Sequence, residues 1–144
     1  MKIQKMGPAA STAQYHEVNE NALKEYAPAV LAYIGDAVLE LLVRAHMVKN
    51  SRYKINTLHN MTVDHVKAEN QARIVHALHI YLNEDEREII RRGRNAKGNV
   101  PKNVSPGDYH LSTGFEALLG HLYLKGDVER LYELVDKAIQ VKRD

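Results

Sequence analysis

The sequence predicts an all-α protein built as one domain, and three observations carry that expectation. From residue 19 onward apolar residues recur at the i, i+3, i+4, i+7 spacing of a helix face. Runs of alternating apolar and polar residues bounded by turn signals do not occur in the sequence. A length of 144 residues, with 44% hydrophobic and 26% charged, suits one packed core of ordinary composition.

Each element has its own signals. Residues 1–18, rich in small and polar types with Gly7 and Pro8, read as a flexible tail. Residues 19–144 read as the folded domain. Pro28 suits the first turn of a helix running to about Val48. A helical stretch from Thr57 to about Tyr81 follows the cap candidate Asn56 and is expected to break near Thr62 to Asp64. Asn83 and Glu86 are spaced as a capping box for a short helix that stops at Gly93. A basic loop near 93–107 follows, marked by Gly98, Pro101 and Gly107. Asp108 or Ser112 opens the next helix, Gly126 closes it, and Asp127 caps a last helix through about Val141.

Composition removes whole classes of chemistry. Without cysteine there is no disulfide framework, thiol nucleophile, iron–sulfur cluster or cysteine-ligated zinc. No apolar run approaches the roughly 20 residues of a membrane span, and the first 18 residues lack the apolar centre of a secretory signal. A cytoplasmic protein with no membrane partner is the expectation. His76 and His79 lie three apart, but no HExxH or His-Asp dipeptide accompanies them, so solvated or half-buried histidines are expected.

Charge is unevenly placed. Residues 87–102 hold six of the 20 Lys and Arg and one of the 18 acids, so this segment is +5. The remaining chain, with 14 basic and 17 acidic residues, is −3. Arg91, Arg92, Arg94, Lys97 and Lys102, with Asn95 lying among them, are therefore candidates for binding a phosphate backbone. The alternative is a solvated helix end whose cations oppose the helix dipole.

On the helix from Pro28, Leu31, Ile34, Val38, Leu41, Leu42 and Ala45 form the main apolar stripe. Tyr33, Ala37, Leu39 and Val43 make the opposite side apolar too, which leaves Asp36, Glu40 and Arg44 as a single polar row. Glu40 and Arg44 read as an i, i+4 ion pair. In the helix after Asp108, Phe115, Leu118, Leu119 and Leu122 form the stripe, and Thr113, Glu116 and Gly120 share a second face. Glycine inside a helix costs about 1 kcal/mol relative to alanine, so Gly35 and Gly120 point to backbones in close approach. A crossing there would bring Asp36 and Glu116 together, and two facing carboxylates call for a cation such as Mg²⁺ or Mn²⁺. That arrangement serves metal-assisted phosphodiester hydrolysis.

The string Ala32-Tyr33-Ile34-Gly35-Asp36-Ala37-Val38 resembles the glycine-aspartate signature of the ribonuclease III endonuclease domain. Thr113-Gly114-Phe115-Glu116-Ala117-Leu118-Leu119-Gly120 resembles its second acidic motif. With Arg92-Gly93-Arg94-Asn95-Ala96-Lys97 and Pro101-Lys102-Asn103, the chain is similar to Mini-ribonuclease III, the branch with the catalytic domain alone. The resemblance covers roughly residues 28–140. It implies an all-α homodimer that cuts double-stranded RNA with Mg²⁺, leaving 5′-phosphate and 3′-hydroxyl ends. Asp36 and Glu116 would then be the metal-binding catalytic carboxylates.

It further implies 23S ribosomal RNA precursor ends as substrate, with a ribosomal protein as a candidate accessory. Longer family members have a glutamate four residues before the motif aspartate and an aspartate three before the motif glutamate; here those positions are Ala32 and Thr113. They also have a double-stranded-RNA-binding domain, for which the residues after the last helix leave no room. RNA would be gripped by the basic segment, through shape and charge. Two other readings stand beside this one: a catalytically weak RNA-binding or ribosome-assembly factor, and a nucleotide hydrolase using the acidic run Glu84, Asp85, Glu86 and Glu88.

Overall fold

A computed structural model describes residues 17–96 and 98–141. Its regular elements are helical: α1 (Glu20–Leu23), α2 (Pro28–Asn50), α3 (Ile55–Val66), α4 (Ala68–Leu78), a 3₁₀ turn (His79–Tyr81), α5 (Glu84–Arg94), α6 (Pro106–Lys125) and α7 (Val128–Gln140). The all-α expectation holds, with no strand among the described residues. Lys97 and residues 1–16 of the expected tail lie outside the described residues.

Helix α6 is the hub. It packs against α1, α2, α4, α5 and α7, and from Ser112 to Leu122 most of its circumference is buried. Phe115, Leu118, Leu119 and Leu122 meet Leu39, Val43 and Met47 of α2 and Ile74, Val75 and Leu78 of α4 in the main core, and Ile90 of α5 and Leu131, Leu134, Val135 and Ala138 of α7 complete it. A second cluster joins Leu23 of α1, Leu31 and Ala32 of α2 and Ala117 of α6.

The cap signals resolve partly as expected. Asn83 and Glu86 form both halves of the capping box, each bond 2.9 Å. Gly126 closes α6 at φ 84°, a left-handed turn that glycine adopts without steric cost. Asp127 caps α7. Helix α6 starts earlier than expected: Ser105 is the N-cap, Pro106 stands in the first turn, and Asp108 and Ser112 are inside. Helix α3 likewise starts behind Lys54, leaving Asn56 within it.

The break expected at Thr62 to Asp64 falls instead at Lys67, whose ψ is 151°. Thr62 stays within the helix, its hydroxyl donating back to the Leu58 carbonyl at 3.0 Å. Carbonyls released at the break are taken up by side chains of the next turn: Asn70 Nδ2 donates to His65 O at 2.8 Å and Gln71 Nε2 to Val66 O at 2.7 Å. Gly93 does not stop α5, which runs to Arg94 with Asn95 as C-cap. It is buried because α5 crosses α6 there, where a Cβ would lie 2.6 Å from the Gly114 Cα.

The stripe assigned to α2 is corrected as well. Its buried side is Leu31, Ala32, Gly35, Leu39, Val43 and Met47, while Leu41 is 66% exposed and Ile34, Val38 and Leu42 are half-buried. Both sides of α2 are apolar, so hydrophobicity alone could not rank them. Gly35 decides, since only its side admits the α6 backbone.

Three acids of the run at 84–88, Glu84, Glu86 and Glu88, are engaged structurally. Glu86 is buried beneath Arg130 of α7, whose Nη2 and Nε reach its two oxygens at 2.7 and 2.8 Å. Glu84 pairs with Arg87 and Glu88 with Arg91. Burial works to raise the Glu86 carboxyl's pKa, but Arg130 and the Asn83 backbone hold it below the usual range.

Gly35→Ala is expected to be strongly destabilising, because its Cβ would stand 1.6 Å from the Glu116 carbonyl oxygen and α2 and α6 would have to separate. A loss of about 3 kcal/mol is the scale for such overpacking, or roughly 10 °C in Tm at this chain length. Gly98→Ala, which meets nothing within 4 Å, is the control. A thermal melt of both variants checks this, and equal Tm values would refute the crossing.

Candidate active site

The crossing of α2 and α6 is built from two glycines facing two carbonyls. A Cβ on Gly35 would meet Glu116 O at 1.6 Å, and one on Gly120 would meet Leu31 O at 2.0 Å. Such proximity sets Asp36 and Glu116 side by side, close enough for their carboxyl groups to hydrogen-bond. Asp36 is exposed and Glu116 half-buried. Glu40 and Arg44, one and two turns further along α2, form the expected ion pair at 3.0 Å.

Burial pushes the Glu116 carboxyl up to about 8, the hydrogen bond and like charge of Asp36 push the same way, and the Gln71 amide opposes them. At neutral pH the Glu116 carboxyl, left to itself, holds its proton. Thr113, one turn before Glu116, bonds its hydroxyl to the Tyr109 carbonyl at 3.1 Å and keeps its lone pairs. Among the described residues no group of three or more His, Cys, Asp or Glu could hold a metal ion, so the two carboxylates stand without a third.

The basic candidates divide. Gly93 and Gly114 lock the end of α5 onto α6 two residues from Glu116. Arg91 is engaged by Glu88 through two bonds of 2.5 and 2.8 Å. Arg91 and Arg94 line a cleft of about 380 Å³ together with His76, His79 and Arg87. Arg92 faces elsewhere, lining a cleft of about 290 Å³ with Asp85, Glu88, His121 and Lys125. Asn95 caps α5, and Lys102 stands exposed in a turn whose next residue, Asn103, has φ 67°. The basic segment therefore wraps α5 rather than forming one face.

Gln71 was not singled out by sequence reasoning. Its signal was there: Asn70 and Gln71 interrupt the core-facing series Val66, Ile74, Val75 and Leu78 with two amides that are themselves buried.

Comparison with known proteins places this all-α domain in a nuclease class. The Ribonuclease III domain matches residues 29–127. Mini-ribonuclease 3 of Thermoanaerobacter sp. (strain X514) is 48% identical over 79% of this chain and 81% of its own. That of Clostridium tetani is 42% identical over 87% of this chain and 84% of its own, and that of Staphylococcus aureus 38% identical over 85% and 93%. A crystal structure of a Fusobacterium nucleatum protein superimposes with a TM-score of 0.74 at 28% identity, covering 82% of this chain and 95% of that one. The chain belongs to the ribonuclease III family, in its Mini-ribonuclease 3 branch, and is an endoribonuclease. Among the described residues no helix is long and apolar enough to cross a membrane.

Without divalent cation, Glu116 binds its proton more tightly in the folded than in the unfolded state between pH 4.5 and about 8. Stability therefore falls as pH rises through that window. In EDTA, Glu116→Gln, which cannot ionise, is expected to melt above the parent beyond about pH 8 and to match it below about pH 4.5. Parallel pH profiles of Tm for the two proteins would contradict the raised pKa.

Proposed function

We propose that this chain is a Mg²⁺-dependent endoribonuclease for double-stranded RNA in which Asp36 and Glu116 hold the cation, with Mn²⁺ as a substitute. The observation that carries this reading is the apposition of the two carboxyl groups at the Gly35–Gly120 crossing. The donor set fits a hard, hydrated cation: it is all oxygen, from Asp36, Glu116 and the Thr113 hydroxyl. Bound there, the cation supplies Lewis-acid polarisation of the scissile phosphodiester and an easier ionisation of the attacking water. Asp36, being exposed, is the carboxylate that reaches toward the RNA, and Glu116, half-buried, is the one fixed by the fold.

Residues 19–144 form the catalytic domain in this reading, and the basic loop near 93–107 with the end of α5 forms the RNA contact. Arg91, Arg92, Arg94, Asn95, Lys97 and Lys102 supply phosphate binding without reading bases. The natural substrate we assign is the paired end region of the 23S ribosomal RNA precursor in the cytoplasm, with a ribosomal protein as accessory. The nucleotide-hydrolase reading loses support, because Glu84, Glu86 and Glu88 are engaged by Arg87, Arg130 and Arg91.

The active unit is a homodimer. Tyr33 is 79% exposed on α2, and beside it Ala37, Leu41, Val128 and Tyr132 line an apolar cleft of about 320 Å³. A contiguous apolar face of this kind marks an interaction surface. A two-fold axis through it would give two sites for the two strands of an A-form helix.

Asp36→Asn chains are expected to be inactive on duplex RNA with Mg²⁺, as the parent is in EDTA, while keeping helicity. A mixed dimer of one parent and one Asp36→Asn chain, isolated by two affinity tags, is expected to nick one strand and accumulate nicked duplex. Full double-strand cutting by that mixed dimer, or full activity in a sedimenting monomer, would sink the one-site-per-strand assignment.

Joint replacement of Arg91, Arg92, Arg94 and Lys97 by Gln is expected to weaken RNA binding for every duplex sequence. Each lost phosphate contact lowers the slope of log affinity against log salt by roughly 0.7 to 0.9. An unchanged slope in a filter-binding salt series would place the RNA elsewhere on the protein.

A further inference from the structure

The break at Lys67 does more than separate two helices. It turns the first residues of α4 inward, where Gln71 is 2% exposed and packed beside Glu116. The orientation of its amide is dictated by its neighbour. Nε2 donates to Val66 O at 2.7 Å, and exchanging the nitrogen and oxygen would set two acceptors against each other at that distance. The same amide interacts with the Glu116 carboxyl as a donor. That leaves Oε1, which is buried and has no hydrogen-bond partner among the described residues; it is the one side-chain polar atom of which this is true.

Buried acceptors in folded proteins are nearly always paired. An orphan on the side chain that bonds Glu116 therefore indicates a group that arrives in the working state. We propose that Gln71 is a positioning residue of this site: its amide nitrogen orients the Glu116 carboxylate, and its Oε1 accepts a hydrogen bond from the hydrated divalent cation. The inference rests on the reading of Asp36 and Glu116 as the cation-holding pair. A Mg²⁺ ion held by one or two carboxylates keeps several waters, and the hydrogens of those waters need acceptors. Outer-shell partners of this kind orient the ligands that touch the ion. Gln71 is suited to the task because both ends of its amide are committed, one to the backbone at the helix break and one to the site.

The test is Mn²⁺ affinity, measured by electron paramagnetic resonance on the full chain, for the parent, Gln71→Leu and Gln71→Met. Both substitutions replace the amide with an apolar side chain of similar size and good helix propensity. Loss of an outer-shell partner typically weakens metal binding about 10- to 100-fold, and a change of that size is expected in both variants with circular dichroism unchanged. The Mg²⁺ concentration for half-maximal cleavage of duplex RNA should rise by the same factor. A dissociation constant within about twofold of the parent's would overturn the role of Gln71 while leaving the carboxylate pair standing. A parent that fails to bind Mn²⁺ would overturn the cation reading itself, and this proposal with it.

Should either variant unfold, the unsubstituted protein still decides. The side-chain amide resonance of Gln71, followed in ¹⁵N-labelled protein, is expected to shift on Mg²⁺ saturation and to stay put in Asp36→Asn. A resonance that does not move at saturating Mg²⁺ in the parent overturns the proposal.

Discussion

The contact between the backbones of α2 and α6 is the constraint on which the rest of the structure depends. Helices normally pack with axes about 8–10 Å apart, a spacing that side chains set. Here Gly35 and Gly120 remove the side chains at the crossing, and each glycine faces a carbonyl of the other helix. The position of Asp36 is thereby tied to Gly35 and that of Glu116 to the same crossing. Two carboxylates gathered on rigid helices are held more narrowly than any loop could hold them. Their mutual repulsion is opposed by the burial of Phe115, Leu118 and Leu119 around the crossing.

Helix α6 repeats the device. Gly114 receives Gly93 of α5 just as Gly120 receives Gly35 of α2, so one helix holds a close neighbour at each of two crossings. Between the two crossings lies Glu116. Arg130 then fixes the opposite end of α5 by gripping Glu86 and the Tyr81 carbonyl. With both ends of α5 tied down, the arginines of its last turn have a fixed base.

Much of this was legible in the sequence, for physical reasons that differ by element. The Asn83–Glu86 capping box and the Gly126 stop depend on neighbouring residues alone, and so could be read locally. The pairing of Asp36 with Glu116 was readable because interior glycines are costly and imply a close crossing. The core face of α2 was not readable, since Leu41 and Leu39 are equally apolar and only the fold buries Leu39. The break at Lys67 escaped because its compensation, the Asn70 and Gln71 amides bonding back to His65 and Val66, lies downstream of it. Gly93 reads locally as a helix stop, and its true partner Gly114 is visible only in three dimensions.

The angular position of Asp36 on α2 ties these points to function. Counting about 100° per residue, the buried side centres near Gly35 and Leu39, and the exposed apolar side near Ala37 and Leu41. Asp36 falls on the seam between them. A residue on such a seam is accessible in the free chain yet flanked by Tyr33 and Ala37, which belong to the face proposed to meet a second copy. Dimer formation would thus remove water from one side of Asp36 while the α6 crossing fixes the other. The affinity of the carboxylate pair for a cation would then depend on assembly. In a site with only two carboxylates, that dependence falls on few groups, because each remaining ligand carries a larger share of the binding.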